Sequence, residues 1–117
     1  MEKLFDGEYR LMEVLWESAP VNSTQLVTLC REQLGWTKST TYTVLRRLCQ
    51  RGIFQNEGGV VTSRLSREEF AARQSEEFVE QAFGGSLPKF LTAFTRCKKL
   101  TDEEVRQLQQ LIDESRR

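Results

Sequence analysis

The sequence predicts a mostly α-helical protein with one small β-hairpin, split into an N-terminal domain of three helices and the hairpin (residues 1–65) and a C-terminal helical arm (residues 66–117). Three observations carry this reading. Apolar residues recur at helical spacing through every long segment. Two short β-prone runs flank the pair Gly58-Gly59, the expected composition of a tight hairpin turn. Beyond the hairpin, strand signals stop and helix-start signals repeat. At 117 residues the chain is long enough for one modest core and little else.

Taken in order, Asp6 can cap a first helix running to about Ser18, with Tyr9, Met12, Leu15 and Trp16 as its inward stripe. Ala19-Pro20 ends it, because proline disfavours helical geometry in the residue before it. Asn22 and Gln25 have the spacing of a capping box and open a second helix, whose buried stripe is Leu26, Leu29, Cys30 and Leu34 and whose C-terminal turn falls at Gly35. Thr37 can cap a third helix from Lys38 to about Arg51, stopped by Gly52. Ile53–Glu57 and Val60–Leu65 then form the hairpin. Helix, helix, helix, hairpin is the order of a winged helix. In the arm, Ser66 and Glu69 form a capping box for a long helix to about Phe83, broken at Gly84-Gly85. Ser86 caps a short helix with Pro88 in its first turn. Thr101 and Glu104 open the last helix.

The charge total hides a local asymmetry. Lys+Arg and Asp+Glu both number 17, yet Trp36 to Asn56 contains Lys38, Arg46, Arg47 and Arg51 and no acid. On the third helix Thr41, Val44, Leu45, Leu48 and Cys49 share one face, while Ser39, Thr40, Thr43, Arg46, Arg47 and Gln50 share the other. A face of hydroxyls and guanidiniums without carboxylates suits double-stranded DNA, since arginine pairs with guanine edges and hydroxyls meet either kind of base edge. Ser39, Thr40, Thr43 and Arg46 are the expected base readers, Lys38, Arg47 and Arg51 the expected phosphate contacts, and Tyr42, at the border of the two faces, can equally touch DNA or pack on a neighbour. Arg46→Ala should relax sequence preference, and Arg51→Ala should weaken all duplexes alike. So few basic groups per chain call for two copies on one site, hence a homodimer. The arm supplies apolar side chains that need a partner surface: Phe70, Phe78, Phe83, Phe90, Leu91, Phe94, Leu108, Leu111 and Ile112.

Several classes are disfavoured. The chain has no histidine, no HExxH, no GxSxG and no glycine-rich phosphate loop, so neither catalysis nor a metal or other cofactor is expected. Three scattered cysteines, Cys30, Cys49 and Cys97, suggest neither a disulfide framework nor a zinc knuckle. No stretch approaches the roughly 18 apolar residues of a membrane span, and the start lacks an apolar leader. A cytoplasmic protein without direct membrane insertion is expected.

Four segments together resemble the penicillinase and methicillin-resistance repressor family, which includes copper-responsive relatives. In Trp36–Gly52, WTKSTTYTVLRRLCQRG, the residues Thr40, Thr43, Arg47, Leu48 and Gly52 match the family pattern. Glu8, Met12 and Val14-Leu15-Trp16 match its opening element, Phe83-Gly84-Gly85-Ser86-Leu87 its mid-arm break, and Leu100-Thr101-Asp102-Glu103-Glu104 the start of its last helix. The resemblance implies a homodimeric repressor with winged helices on operator DNA and intertwined C-terminal helices. It also implies, for the antibiotic-resistance members, release through a sensor-protease system that cleaves an Asn-Phe bond. The corresponding bond here is Ala93-Phe94, with the phenylalanine kept and the asparagine replaced. The paired cysteines of the copper-responsive members are absent, since Cys97 stands alone in the arm. The hairpin also departs from the family, reading Glu57-Gly58-Gly59-Val60 without a basic residue at its tip. A winged-helix module for protein contacts and a ligand-responsive repressor remain the competing readings.

Overall fold

The computed structural model describes residues 6–117, arranged as six helices and three strands. The expectation of no apolar leader concerns the first five residues and lies outside the described ones. The chain forms two compact units that divide between Ser75 and Glu76.

The first unit contains α1 (Asp6–Ser18), β1 (Val21–Asn22), α2 (Ser23–Leu34), α3 (Lys38–Gln50), β2 (Phe54–Glu57), β3 (Val60–Ser63) and the first half of α4 (Arg67–Phe83). Its core is Leu11, Met12, Leu15, Leu26, Cys30, Leu45, Leu48, Phe54 and Val61, each with 2% exposure or less. Burial of such side chains contributes roughly 1.5–3 kcal/mol apiece before the entropy of ordering them is counted. The elements begin and end where local chemistry predicts. Thr37 caps α3 by accepting from the Thr40 N–H at 3.2 Å. Asn22 caps α2 through the N–H of Thr24 at 2.9 Å, and the expected reciprocal bond from Gln25 does not form among the described residues. Gly35 closes α2 in the left-handed conformation (φ 70°). Gly58 and Gly59 both have positive φ (58° and 86°), as a two-residue turn matched to the strand twist requires.

Three further details differ from the expectations. The stripe of α1 is centred on Leu11, Met12 and Leu15 and includes Glu8, whereas Tyr9 is 44% exposed. Tyr9 lies beside Glu13, whose carboxylate holds the phenol above its usual pKa. The hairpin gains a third strand: Val21 and Asn22 pair antiparallel with Val61 and Val60, giving the order β1-β3-β2. Two residues are too short a run to show strand periodicity, so this strand exists only because β3 offers it an edge. The compact unit also continues past Leu65. Phe70, expected to await a partner surface, is instead 6% exposed within this unit, and Trp16 lies with its ring centre 5.6 Å from Phe70 and 5.9 Å from Phe54. The Trp16 indole N–H donates to the Leu65 carbonyl at 3.0 Å, and Arg67 stacks over its ring while pairing with Glu13 at 3.0 Å. The first turns of α4 therefore belong to the N-terminal core.

The second unit holds the rest of α4, α5 (Leu87–Cys97) and α6 (Asp102–Ser115). Ser86 caps α5, and Thr101 and Glu104 form a reciprocal capping box on α6. Phe78, Phe83 and Phe90 meet edge to face with ring centres 5.6–6.1 Å apart. No residue of α5 or α6 is fully buried.

Candidate nucleic-acid interface

The candidate interface is the outer face of α3. Its inner face is fixed by Thr41, Val44, Leu45 and Leu48, all buried, so the opposite face is committed to solvent. There the structure brings together Lys38, Ser39, Thr40, Thr43, Arg46, Arg47 and Gln50, all exposed. Lys38, Arg46 and Arg47 make no ion pair with the described residues. Three cations with no acid among them leave an uncompensated positive field along one helix.

The hydroxyls on this face are not equivalent. Thr43 donates to the Ser39 carbonyl at 2.9 Å, which leaves its oxygen as an acceptor and its methyl directed away from that bond. Thr40 accepts from the Thr37 hydroxyl at 3.1 Å, so its own proton is available for donation. One threonine thus suits a donor edge or a thymine methyl, and the other an acceptor such as a purine N7 or a phosphate oxygen. At the helix start the Thr40 N–H is taken by the Thr37 cap, while the earlier N–H groups have no helical carbonyl to bond and suit an anion.

Two of the expected contact residues are turned to other work. Tyr42 is half-buried, and its hydroxyl donates to Ser23 Oγ at 3.3 Å. The Ser23 N–H in turn donates to the Gly59 carbonyl at 2.7 Å. Tyr42 thereby links α3 to the start of α2 and the hairpin turn. Arg51, expected at the phosphate backbone, has a side chain only 19% exposed, and its Nε lies 2.8 Å from Oε2 of Glu8, which is 2% exposed. Among the described residues that oxygen has no aligned hydrogen-bond donor, so the contact is primarily ionic. Glu8 is the partner of Arg51 that the charge pattern missed. Its signal was its position one turn before Met12 on the apolar stripe of α1, where a carboxylate needs a cation.

The hairpin presents an acidic tip. Glu57 and Gly58 are exposed, and no basic residue occurs between Phe54 and Ser63. Arg64, at the exit of β3, is exposed.

Of the dimerisation candidates, Phe78, Phe94, Leu111 and Ile112 are 41–60% exposed. Phe83, Phe90, Leu91 and Leu108 are half-buried. Phe90, Leu91, Phe94, Leu100, Leu108 and Leu111 line an open groove of ≈ 390 Å³ between α5 and α6. Ala93 and Phe94, the bond that corresponds to the family's cleaved one, lie inside α5. No group of three or more His, Cys, Asp or Glu among the described residues could hold a metal. Burial raises the Cys30 and Cys49 thiols above their usual pKa, which suits packing rather than reactivity. No described helix is long and apolar enough to cross a membrane.

The chain is similar to several known proteins. Residues 5–114 match the family described as penicillinase repressor. The chain is 24% identical over 116 residues to the penicillinase repressor of Bacillus licheniformis, covering 96% of this chain and 91% of that protein. It is 26% identical over 110 residues to an uncharacterized 16.5 kDa protein in the ptsI 3' region of Latilactobacillus sakei, covering 91% of this chain and 75% of the relative. Among solved structures it is similar to the DNA-binding domain of the repressor BlaI in solution, with TM-score 0.49, 25% identity, and 59% of this chain and 93% of the other covered. It is also similar to monomeric Bacillus licheniformis BlaI in complex with the blaP half-operator, with TM-score 0.48, 24% identity, and 58% and 88% covered.

Proposed function

The chain belongs to the penicillinase repressor family, a family of transcriptional repressors and not of enzymes, and from that premise we propose that it represses transcription as a homodimer bound to a pseudo-palindromic operator. The observation that carries the proposal is the acid-free outer face of α3, where Lys38, Arg46 and Arg47 stand exposed and unpaired among the described residues beside Ser39, Thr40 and Thr43. In this reading α3 enters the major groove, with Ser39, Thr40, Thr43 and Arg46 at base edges and Lys38 and Arg47 at phosphates. The acidic hairpin tip adds no attraction to the phosphate backbone, so α3 supplies most of the affinity. A single such face is weak, which supports a dimer whose two copies of α3 read two half-sites. The apolar side chains left exposed on α5 and α6 support these helices as the surface that joins the copies. The protein would act in the cytoplasm, where its DNA lies.

The test is binding of the purified protein to a tiled library of duplex DNA at two salt concentrations, with Thr43→Ala beside it. Saturable, salt-sensitive binding to a two-fold symmetric duplex, weakened in the variant, is the expected result. Indifference to sequence at both salts would refute the reading and favour a module for protein contacts.

Relief of repression by cleavage at Ala93-Phe94, through a sensor-protease system, is the finer part of the same proposal. A protease needs an extended strand, so α5 would have to unwind locally. The mass of the fragments recovered from cells after antibiotic challenge would identify the bond.

A further inference from the structure

The start of α1 touches the residues on either side of α3. The Trp36 ring, just before the Thr37 cap, lies against Gly7, where a Cβ would stand 3.6 Å from its Cζ2. Arg51, the C-cap residue of α3, reaches Glu8 at 2.8 Å. Two consecutive residues of α1 are therefore engaged from opposite ends of the candidate recognition helix. The two contacts differ in kind. The indole contact fixes a distance. The ion pair fixes a direction, because a carboxylate at 2% exposure has no water to turn to if the guanidinium moves.

Stability alone is a poor account of such a pair. A buried ion pair replaced by apolar side chains of similar volume often leaves a protein as stable or more so, whereas removal of one partner is costly. What a buried pair can supply instead is a single permitted arrangement of the elements it joins.

We propose that Glu8 and Arg51 are positioning residues that fix α3 on α1, so that Arg51 orients the base-reading face rather than neutralising a phosphate. The inference rests on the DNA-binding reading above. It also revises the expectation for Arg51, which has the right charge for the backbone but spends it on Glu8.

The experiment uses the full chain, the Glu8→Gln variant and the Glu8→Met/Arg51→Met double variant. Each is measured by fluorescence anisotropy on the duplex selected from a random library by the unaltered protein and on a scrambled duplex, across a series of salt concentrations. Thermal melting and amide exchange of the free proteins accompany the binding. The double variant is expected to melt no lower than the unaltered protein, to keep its salt slope on scrambled DNA, and to lose preference for the selected duplex by about tenfold, the size of one lost base contact. Glu8→Gln is expected to speed exchange at the Arg51 and Gly52 amides while α2 is unchanged. A salt slope lower by about 0.9 per chain in the double variant would make Arg51 a phosphate contact and overturn the proposal. Unchanged preference together with unchanged exchange would reduce the pair to packing and also overturn it. If the unaltered protein prefers no duplex, the DNA reading fails, and the exchange at Arg51 and Gly52 decides by itself whether the clamp on α3 exists.

Discussion

At the scale of single residues, the exposed face of α3 separates into two roles that a binding experiment can tell apart. Arg46 lies exposed in the acid-free segment, and a guanidinium bidentate to guanine contributes about 1–3 kcal/mol of discrimination. Arg46→Ala should therefore flatten the preference among duplexes, measured as the ratio of selected to scrambled affinity. Lys38 stands at the helix start beside N–H groups suited to an anion, as a phosphate contact would. Lys38→Ala should weaken every duplex alike and lower the salt slope by about 0.9 per chain, measured as log affinity against log salt. If the two variants gave the same pattern, the division of the face into readers and anchors would be wrong. These residues were legible in the sequence because period and composition agree: a face with neither apolar residues nor acids fits a polyanion better than it fits a core or plain solvent. Tyr42 and Arg51 were not legible in the same way. Both lie on the flanks of the helix, and only their neighbours, Ser23 and Glu8, settle which way each side chain turns.

At the scale of elements, helix starts are where sequence and structure agree most closely, because a cap is a local device. Ser66 and Glu69 bond reciprocally at 3.0 Å each way, and Thr101 and Glu104 at 3.1 and 2.9 Å. The Ser66 backbone N–H holds the Glu69 carboxyl below the usual glutamate pKa, and the Thr101 N–H does the same for Glu104. The sign follows from linkage. A group with a lowered folded pKa binds fewer protons when folded, so its contribution is present above the unfolded value and disappears as pH falls through the folded one. Glu104→Ala should lower the melting temperature at neutral pH, and the gap to the unaltered protein should close on acidification below the ordinary glutamate range. A gap that persisted at low pH would mean that packing, not the ionised cap, is responsible. Thr101→Ala removes the other half of the box and should cost about 1 kcal/mol in chemical denaturation. Asn22 is a partial exception. It caps α2 as its residue type suggests, but β1 immediately precedes that helix and pairs with β3, a long-range contact that no local signal records.

At the scale of the whole molecule, the second unit carries apolar side chains that it does not bury. Phe94 is 41% exposed, Leu111 60% and Ile112 47%, and the groove between α5 and α6 is lined mainly by apolar residues. Under the proposed homodimer these are interface positions. Leu111→Asp combined with Phe94→Asp should convert the dimer to monomer in sedimentation velocity. It should also reduce affinity for a two-fold symmetric duplex while leaving binding to a single half-site nearly unchanged. A variant that stays dimeric would send the search for the interface elsewhere. Unchanged affinity for the symmetric duplex in a monomeric variant would remove the reason for two copies of α3.

By itself the sequence determined the helices, most of their caps, the hairpin turn and the outer face of α3, because each depends on spacing and residue type within one or two turns of chain. The tertiary structure alone decided three things. It added β1 to the sheet, placed the start of α4 in the N-terminal core through Phe70 and Trp16, and turned Arg51 from solvent to Glu8. The physical reason is common to all three. Edge pairing, aromatic contact and ion pairing reward residues distant in the chain, and neither period nor composition encodes which distant residue will be near.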